Sequence, residues 1–294
     1  MSRDRVVVVG DLINDIVVVP REAIRADTDT TATIRSTSGG SAANTAVWLA
    51  SQGTAVDFVA AVGAHDAAAH DEELRAAGVT PHLQVEPDAT TGTIVILVQG
   101  HDRSMLTDRG ANSSLRAASV TGELLAEAAL LHVSGYSVVD GFGVEGTRDV
   151  LARAASAGVP VSVNPASIGF ISDFGAERFL EAIEGAASVF LSAEEARLLT
   201  GVADPADAAR TLGATFPVVA LTRGADGVLV VADGGAPVAV PALAVDAVDP
   251  TGAGDAFIAG FIASWLGAGD PVAAASAAVR VAARAVTAIG GRPV

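Results

Sequence analysis

Along this chain, short unbroken apolar runs alternate with longer stretches in which apolar side chains recur at helical spacing. Val6-Val7-Val8-Val9 is continuously apolar and β-branched and stops at Gly10-Asp11, the pattern of a strand buried on both faces. Ala55 to Val62, Leu130 to Val133, Val161 to Val163, Val189 to Leu191, Val218 to Leu221 and Val228 to Val231 read as strands too. Helices are expected between them. One opens at Ser38-Gly39-Gly40-Ser41-Ala42-Ala43-Asn44 and runs through Val47, Trp48 and Leu49 to Gly53; another covers Asp71 to Ala77 and is stopped by Gly78. Val144 to Ala157 ends at Gly158-Val159-Pro160, Phe179 to Ile183 lies within a helix, and Ala193 to Thr200 precedes Gly201. Asp204-Pro205 and Asp270-Pro271 each place an N-cap before a first-turn proline. The second of these starts an alanine-rich helix reaching about Ala288 before Gly290-Gly291. Strands alternating with helices predict a mostly parallel α/β sheet covered on both faces.

Two β-rich intervals break that alternation. Ile16 to Val19 and Thr30 to Thr37 look extended, the second alternating polar and β-branched residues as in a sheet with one wet face. Thr93 to Val98 reads as a strand, Gly100-His101-Asp102-Arg103 as a turn, and Ser104 to Thr107 as the returning strand. Intervals 12–38 and 91–109 are therefore expected to form one small sheet, a lid, standing apart from a core built from 1–11, 39–90 and 110–294. Ile16 to Val19 and Thr93 to Val98 are apolar enough for that sheet to pair with a second copy, so a homodimer is expected.

Composition narrows the function classes. Half of the 294 residues are hydrophobic and 18% are charged, which excludes a disordered chain. A net charge of −16 argues against nucleic-acid and anionic-membrane partners. Without cysteine there is neither a disulfide framework nor a thiolate metal site. Met1-Ser2-Arg3-Asp4-Arg5 leads into an apolar run too short for a signal segment or a membrane span, so a cytoplasmic protein is expected. The histidines lack metal-site spacing, and His132, between Leu131 and Val133, reads as a core residue. No G-x-x-x-x-G-K-[ST] occurs, and Gly224 to Gly227 is not a G-x-G-x-x-G.

The chemistry gathers at Asp249-Pro250-Thr251-Gly252-Ala253-Gly254-Asp255. Val240 to Val248 before it has the spacing of strand and turn, and Phe257, Ile258, Phe261, Ile262 and Trp265 after it recur at helical spacing. Gly252, Ala253 and Gly254 thus sit at a helix N-terminus, where unpaired N–H groups and the dipole hold an anion. A carboxylate at the same spot makes sense as a base that takes a proton from a second reactant, which is the demand of phosphoryl transfer to a hydroxyl. A helix-start aspartate after a tight turn is the bland alternative.

This stretch closely resembles the C-terminal signature D-T-x-G-A-G-D of ribokinase-type (PfkB family) carbohydrate kinases. Gly39-Gly40-Ser41-Ala42-Ala43-Asn44 resembles that family's N-terminal signature, about two hundred residues earlier and in the right order. The resemblance covers essentially the whole chain. It implies a ribokinase-like three-layer α/β core with a mostly parallel central sheet plus a small β-sheet lid. It also implies ATP-dependent transfer to a sugar or nucleoside hydroxyl, with Mg2+ on the nucleotide.

Carried onto this sequence, Asp255 resembles the catalytic base and Gly252, Ala253 and Gly254 the anion hole. Asp15 resembles the aspartate that accepts from two adjacent substrate hydroxyls. Gly39 and Gly40 would let backbone approach the sugar, with Asn44 offering it both a donor and an acceptor. Asn164, in Asn164-Pro165-Ala166-Ser167, resembles part of a phosphate- or substrate-facing loop. Thr222, Gly224 and Gly227 resemble the nucleotide-side turn, where Arg223 could meet phosphate. Glu195 matches the glutamate that organises Mg2+ through water, whereas Ser192 replaces the family's asparagine on the nucleotide side. Ser192-Ala193-Glu194-Glu195 also reads as a capping box. Asp249 and Thr251 resemble part of a monovalent-cation (K+) site, with carbonyls from Ala288 to Arg292. Ile13 stands where ribokinases have an asparagine, which argues against ribose as the substrate. Two further readings stay open: a nucleoside kinase of the same fold, with Phe170 or Phe174 as a base clamp, and a catalytically impaired ligand-binding protein.

Overall fold

The computed structural model describes residues 4–99 and 102–293. Met1 to Arg3, and Gly100-His101 of the expected turn, lie outside the described residues. The first part of the chain forms β1 (Arg5–Val9), β2 (Ile13–Pro20), β3 (Ala32–Gly39), α1 (Ser41–Ser51), β4 (Ala55–Gly63), α2 (Ala67–Ala76), β5 (Val79–Glu86), β6 (Gly92–Gln99) and β7 (Asp102–Asp108). Then follow α3 (Gly122–Glu127), β8 (Ala128–Ser134), the single turn α4 (Gly135–Ser137), α5 (Gly143–Ser156), β9 (Val161–Asn164), α6 (Ile168–Phe174) and α7 (Ala176–Ala182). The last part contains β10 (Ser188–Ser192), α8 (Ala193–Thr200), α9 (Pro205–Gly213), β11 (Val218–Thr222), β12 (Val228–Ala232), β13 (Val238–Val240), α10 (Ala253–Ala268) and α11 (Pro271–Ala285).

A nine-stranded sheet in the order β13-β12-β11-β10-β9-β8-β1-β4-β5 forms the middle layer. The β11–β12 and β12–β13 pairs are antiparallel and the other pairs are parallel. The valine run of β1 shows why both faces need cover. Val6 and Val8 pack into a core closed by α1, α10 and α11, while Val7 and Val9 pack into a second core closed by α5, α7, α8 and α9. Alternation of side chains across a strand delivers neighbouring valines to opposite layers. Each fully buried valine is worth roughly 1.5–3 kcal/mol relative to exposure. The result is the three-layer arrangement expected from the alternating pattern.

A separate four-stranded sheet has the order β3-β2-β6-β7. Its roots are fixed to the large sheet by side chains. The Asn112 amide accepts from Leu12 N at 3.1 Å and donates to Leu12 O at 3.0 Å. Asn14 Nδ2 donates to Asp66 Oδ2 at 2.7 Å, and Thr91 Oγ1 donates to Asp66 Oδ1 at 2.5 Å. In register, Val18 lies beside Ile34 and Leu97, Ile16 beside Val95, and Val95 beside Leu106. These aliphatic side chains share the face opposite to Asp15, and Ile34 and Leu106 are exposed.

The structure departs from the expected elements in a few places. β5, β13, α3 and α6 lie outside the expected elements. α11 stops at Ala285, three residues before the expected Ala288, because Val286 already serves as its C-cap. Residues 241–248 carry no regular element; Val248 N instead donates to Val286 O at 2.7 Å. His132 is fully buried with Nδ1 2.9 Å from Ser162 Oγ, and burial pulls its pKa down to about 4. No helix among the described residues is long and apolar enough to cross a membrane.

Candidate active site

Strands β8, β9, β10 and β11 end in Ser134, Asn164, Ser192 and Thr222, with Ser134 beside Asn164 and Ser192 beside Thr222 in the parallel ladder. The C-terminal edge of an open α/β sheet is where ligands bind. Here it opens into a cleft of about 290 Å³ whose walls include Ser41, Asn164, Ser192, Glu195, Thr222, Gly254 and Asp255. Both sequence signatures, far apart in the chain, therefore border one space.

Asp255 lies in the first turn of α10. Its Oδ1 accepts from Ser41 Oγ at 2.8 Å and its Oδ2 from Asn44 Nδ2 at 3.1 Å. Burial is the main influence on this carboxyl and raises its pKa to about 7; the hydrogen bonds from Ser41 and Asn44 pull the other way, and the charge of Asp11 pushes further up. A base that titrates near neutrality is well matched to taking a hydroxyl proton.

Gly252 supplies the N-cap of α10 in a left-handed conformation, φ 74°. A Cβ there would lie 2.5 Å from Gly291 Cα, so both the dihedral and the close approach require glycine. No side chain caps this helix. Ala253 differs from the expected trio, because its N–H turns back onto Pro250 O at 3.2 Å. The first-turn amides of Gly254 and Asp255 have no carbonyl partner within the helix. Nothing lies within 4 Å of where a Gly254 Cβ would be. That open space in front of a helix N-terminus suits a phosphate.

The other signature is held by Asp11, which sequence reasoning did not single out. Its buried carboxylate accepts from Ser41 N at 2.9 Å, Ala42 N at 3.3 Å and Ser134 Oγ at 3.0 Å. It caps α1 and thereby aims Ser41 and Asn44 at Asp255. Asp15, half-buried on β2, faces Gly39 so closely that a Cβ on Gly39 would sit 2.0 Å from Asp15 Oδ2. Burial first and the charge of Asp11 second raise Asp15 to about 6, with Arg292 acting against them. The Asn44 Oδ1 accepts from Arg292 Nε at 3.2 Å, so each end of its amide has a partner within the protein. Asn164 Nδ2 donates to Ser41 Oγ at 3.3 Å, continuing the network along the cleft wall.

On the other side of the cleft, Ser192 and Glu195 form the capping box of α8. Ser192 N donates to Glu195 Oε2 at 2.7 Å and Glu195 N to Ser192 Oγ at 3.2 Å. Burial raises the Glu195 pKa. Thr222 reaches the cleft, whereas Gly224 and Gly227 shape the β11–β12 turn. A Gly227 Cβ would lie 2.1 Å from Val240 O. Arg223 folds onto its own turn, Nη2 donating to Asp226 O at 2.8 Å. Asp249 Oδ1 accepts from Thr251 N at 3.0 Å and Thr251 Oγ1 at 2.7 Å, and Oδ2 accepts from Gly290 N at 3.1 Å. Tyr136 lines the cleft and meets Phe170 edge-on at 5.7 Å between ring centroids, with the Arg109 guanidinium 4.6 Å from the Tyr136 centroid. Phe174 packs instead against Arg178.

A family model of pfkB family carbohydrate kinases matches residues 3–293. Among characterised relatives, an ATP-dependent ribose-1-phosphate kinase of Halopiger xanaduensis is 31% identical over 242 residues, covering 80% of this chain and 76% of that protein. Among solved structures, adenosine kinase from Sinorhizobium meliloti superposes with a TM-score of 0.88 at 24% identity, over 99% of this chain and 96% of that one. A protein described as a ribokinase II from E. coli, in complex with ATP and Mg2+, superposes with a TM-score of 0.85 at 22% identity, over 98% and 94% of the two chains.

Proposed function

The chain belongs to the pfkB family of carbohydrate kinases, and on that footing we propose that it transfers the γ-phosphoryl group of ATP to a sugar hydroxyl, with Asp255 as base. The observation that carries the assignment is the meeting of the two signatures on one carboxylate, Asp255 taking hydrogen bonds from Ser41 and Asn44 at the start of α10. In this reading the acceptor lies between Asp15, Gly39, Gly40 and Asn44 on one side and Asp255 on the other. Its hydroxyl oxygen attacks the γ-phosphorus, the bond from that phosphorus to the β,γ-bridging oxygen breaks, and ADP leaves. The hydroxyl proton passes to Asp255. The first-turn amides of Gly254 and Asp255 face the charge that builds on the transferring phosphoryl oxygens, while the Ala253 amide is held by Pro250 O.

The nucleotide would run along Ser192, Thr222, Gly224 and Gly227. Among the described residues no lysine or arginine lines the cleft, so phosphate charge falls to the helix N-terminus and to a bound cation. Glu195 on the cleft wall fits a water-mediated hold on Mg2+. When bound with the nucleotide, Mg2+ neutralises phosphate charge and orients the γ-phosphoryl group. For K+, the Asp249 carboxylate is engaged by Thr251 and by Gly290 N, which leaves backbone carbonyls there and around 288–291 as the ligands.

Residues 12–38 and 91–109 would close as a lid and exclude water. The aliphatic face opposite Asp15, with exposed Ile34 and Leu106, would pair with a second copy in a homodimer. The cytoplasm, where ATP is supplied, is the proposed location. A nucleoside acceptor is the second reading, favoured by Tyr136 in the cleft wall as a stacking surface. ATP consumption against a panel of sugars and nucleosides tests the assignment. Turnover with a sugar supports the proposal, turnover confined to nucleosides selects the second reading, and ligand binding without turnover identifies a binding protein.

A further inference from the structure

The amide of Asn44 is held at both ends, and the two ends are not interchangeable. Its Nδ2 donates to Asp255 Oδ2 at 3.1 Å, while its Oδ1 accepts from Arg292 Nε at 3.2 Å. A guanidinium is a donor only. Its N–H at this position can be met by Oδ1 and not by the NH2, so Arg292 selects the flip that turns the NH2 toward the carboxylate. With the opposite flip a carbonyl oxygen would face Asp255 and repel it.

Arg292 is itself fixed from several directions. Its Nη1 donates to Glu73 Oε1 at 2.5 Å, Glu73 Oε2 accepts from Ser38 Oγ at 2.5 Å, and Nη2 approaches Gly39 O at 3.4 Å. Trp48 Nε1 donates to the neighbouring carbonyl, Gly291 O, at 2.9 Å. A Cβ at Gly291 would lie 2.6 Å from Asn44 Nδ2, so the backbone before Arg292 is pressed against the same amide. The Arg292 side chain is largely buried, 16% exposed, in surroundings that include Asp15, and burial lowers its pKa while Glu73 and Asp15 raise it.

We propose that Arg292 is a positioning residue for phosphoryl transfer, fixing the Asn44 amide and, through it, the Asp255 carboxylate, while its charge offsets Asp15 at the acceptor end. The proposal rests on the kinase reading with Asp255 as base. A chain of contacts then runs from Ser38 through Glu73, Arg292 and Asn44 to Asp255, tying β3, α1, α2, the 290–292 segment and α10 into one arrangement.

Three variants of the full chain test this: Arg292→Ala, Arg292→Lys and Glu73→Gln, each checked for native-like thermal unfolding. Arg292→Ala is expected to lower kcat/KM on the order of 10²-fold, mainly through kcat, as for a small misplacement at the reacting groups. Loss of the Asn44 hydrogen bond should move the acid limb of the rate profile to higher pH, because that bond favours the ionised carboxylate. Of the charged groups around this arrangement, Asp11 before α1 acts on Asp255 directly, while Asp15 on β2 and Arg292 act on each other, so Asp15→Asn serves as the control for the limb. Arg292→Lys keeps the charge without the fork and should recover part of the loss. Glu73→Gln should move the same readouts by less. Independently of turnover, exchange of the Asn44 side-chain amide protons with water, followed by NMR, should quicken in Arg292→Ala.

Arg292→Ala activity within a few-fold of wild type with an unmoved limb overturns the proposal and leaves the kinase reading standing. Should the wild type phosphorylate no acceptor, the kinase reading fails, and so does the catalytic part of the proposal. Amide exchange then decides whether Arg292 holds Asn44 at all, and unchanged exchange overturns that too. If Arg292→Ala does not fold, Arg292→Lys and Glu73→Gln decide on the same readouts.

Discussion

The two sides of the cleft are built differently. On the proposed acceptor side, side chains from separate stretches of chain bond to one another, with Asp255 to Ser41 and Asn44, Asn44 to Arg292, Arg292 to Glu73, and Ser41 to Asn164. On the proposed nucleotide side, Ser192 and Glu195 bond to each other as a local cap, Thr222 Oγ1 reaches Leu191 O at 3.4 Å, and glycines shape the turn. One side is a connected polar network. The other is a set of strand ends and helix starts positioned by the fold. Networks of buried polar groups are high-stakes, because each member loses a partner when one is removed. Backbone amides and strand ends survive changes of side chain. Ser192 belongs to the second kind, held in place by the capping box it forms with Glu195.

Substitutions can break or sharpen this contrast. The largest effect is expected on the acceptor side. Asp255→Asn should lower kcat by at least about 10³-fold, within the roughly 10²–10⁴-fold that a positioned base contributes. Nucleotide affinity, read by calorimetry, should change little. Gly252→Ala comes next. A side chain at φ 74° facing Gly291 should strain the turn by about 1–3 kcal/mol, lowering both kcat and thermal stability. Gly40→Ala, at φ 98° with its Cβ 2.5 Å from Asp11 O, should act similarly by tilting the start of α1, and should raise the acceptor KM more than the ATP KM. The smallest effect is expected across the cleft. Ser192→Ala removes one cap of α8, worth about 1 kcal/mol, and should raise the ATP KM by only a few-fold with acceptor KM unchanged. An acceptor-side variant as mild as Ser192→Ala, or a Ser192 variant as severe as Asp255→Asn, would erase the contrast.

The same contrast governs what could be read from sequence. The core strands were legible because a buried parallel strand must be an unbroken apolar run, as Val6 to Val9 is. Helix α8 was legible to the residue because a capping box and Gly201 mark its ends. Strand β5 escaped because it is an edge strand containing Pro81 and alternating polar residues, and β13 because three residues leave no period to detect. In the candidate site, Asp15, Gly39, Gly40, Asn44 and Asp255 could be proposed from short local motifs. Asp11, Ser41, Glu73 and Arg292 could not, because their roles exist only once distant segments meet. Arg292 is a lone cation near two glycines in sequence, and nothing local distinguishes it from a solvated one. The internal partners of Asn44, Asp255 and Arg292, likewise lie far away in the sequence.

The central claim is that the carboxylate of Asp255 accepts the proton of the acceptor hydroxyl. Its most direct test is the pH dependence of kcat/KM for the wild type, with Asp15→Asn as control. A raised pKa means that the group is protonated, and useless as a base, below its titration point. The account therefore predicts an acid limb that begins with a titration near pH 7, steepens below about 6 as Asp15 is protonated, keeps its first step in Asp15→Asn and loses it in the residual activity of Asp255→Asn. A rate that stays level down to the ordinary aspartate range near 3.8, or a limb that survives unchanged in Asp255→Asn, would contradict it.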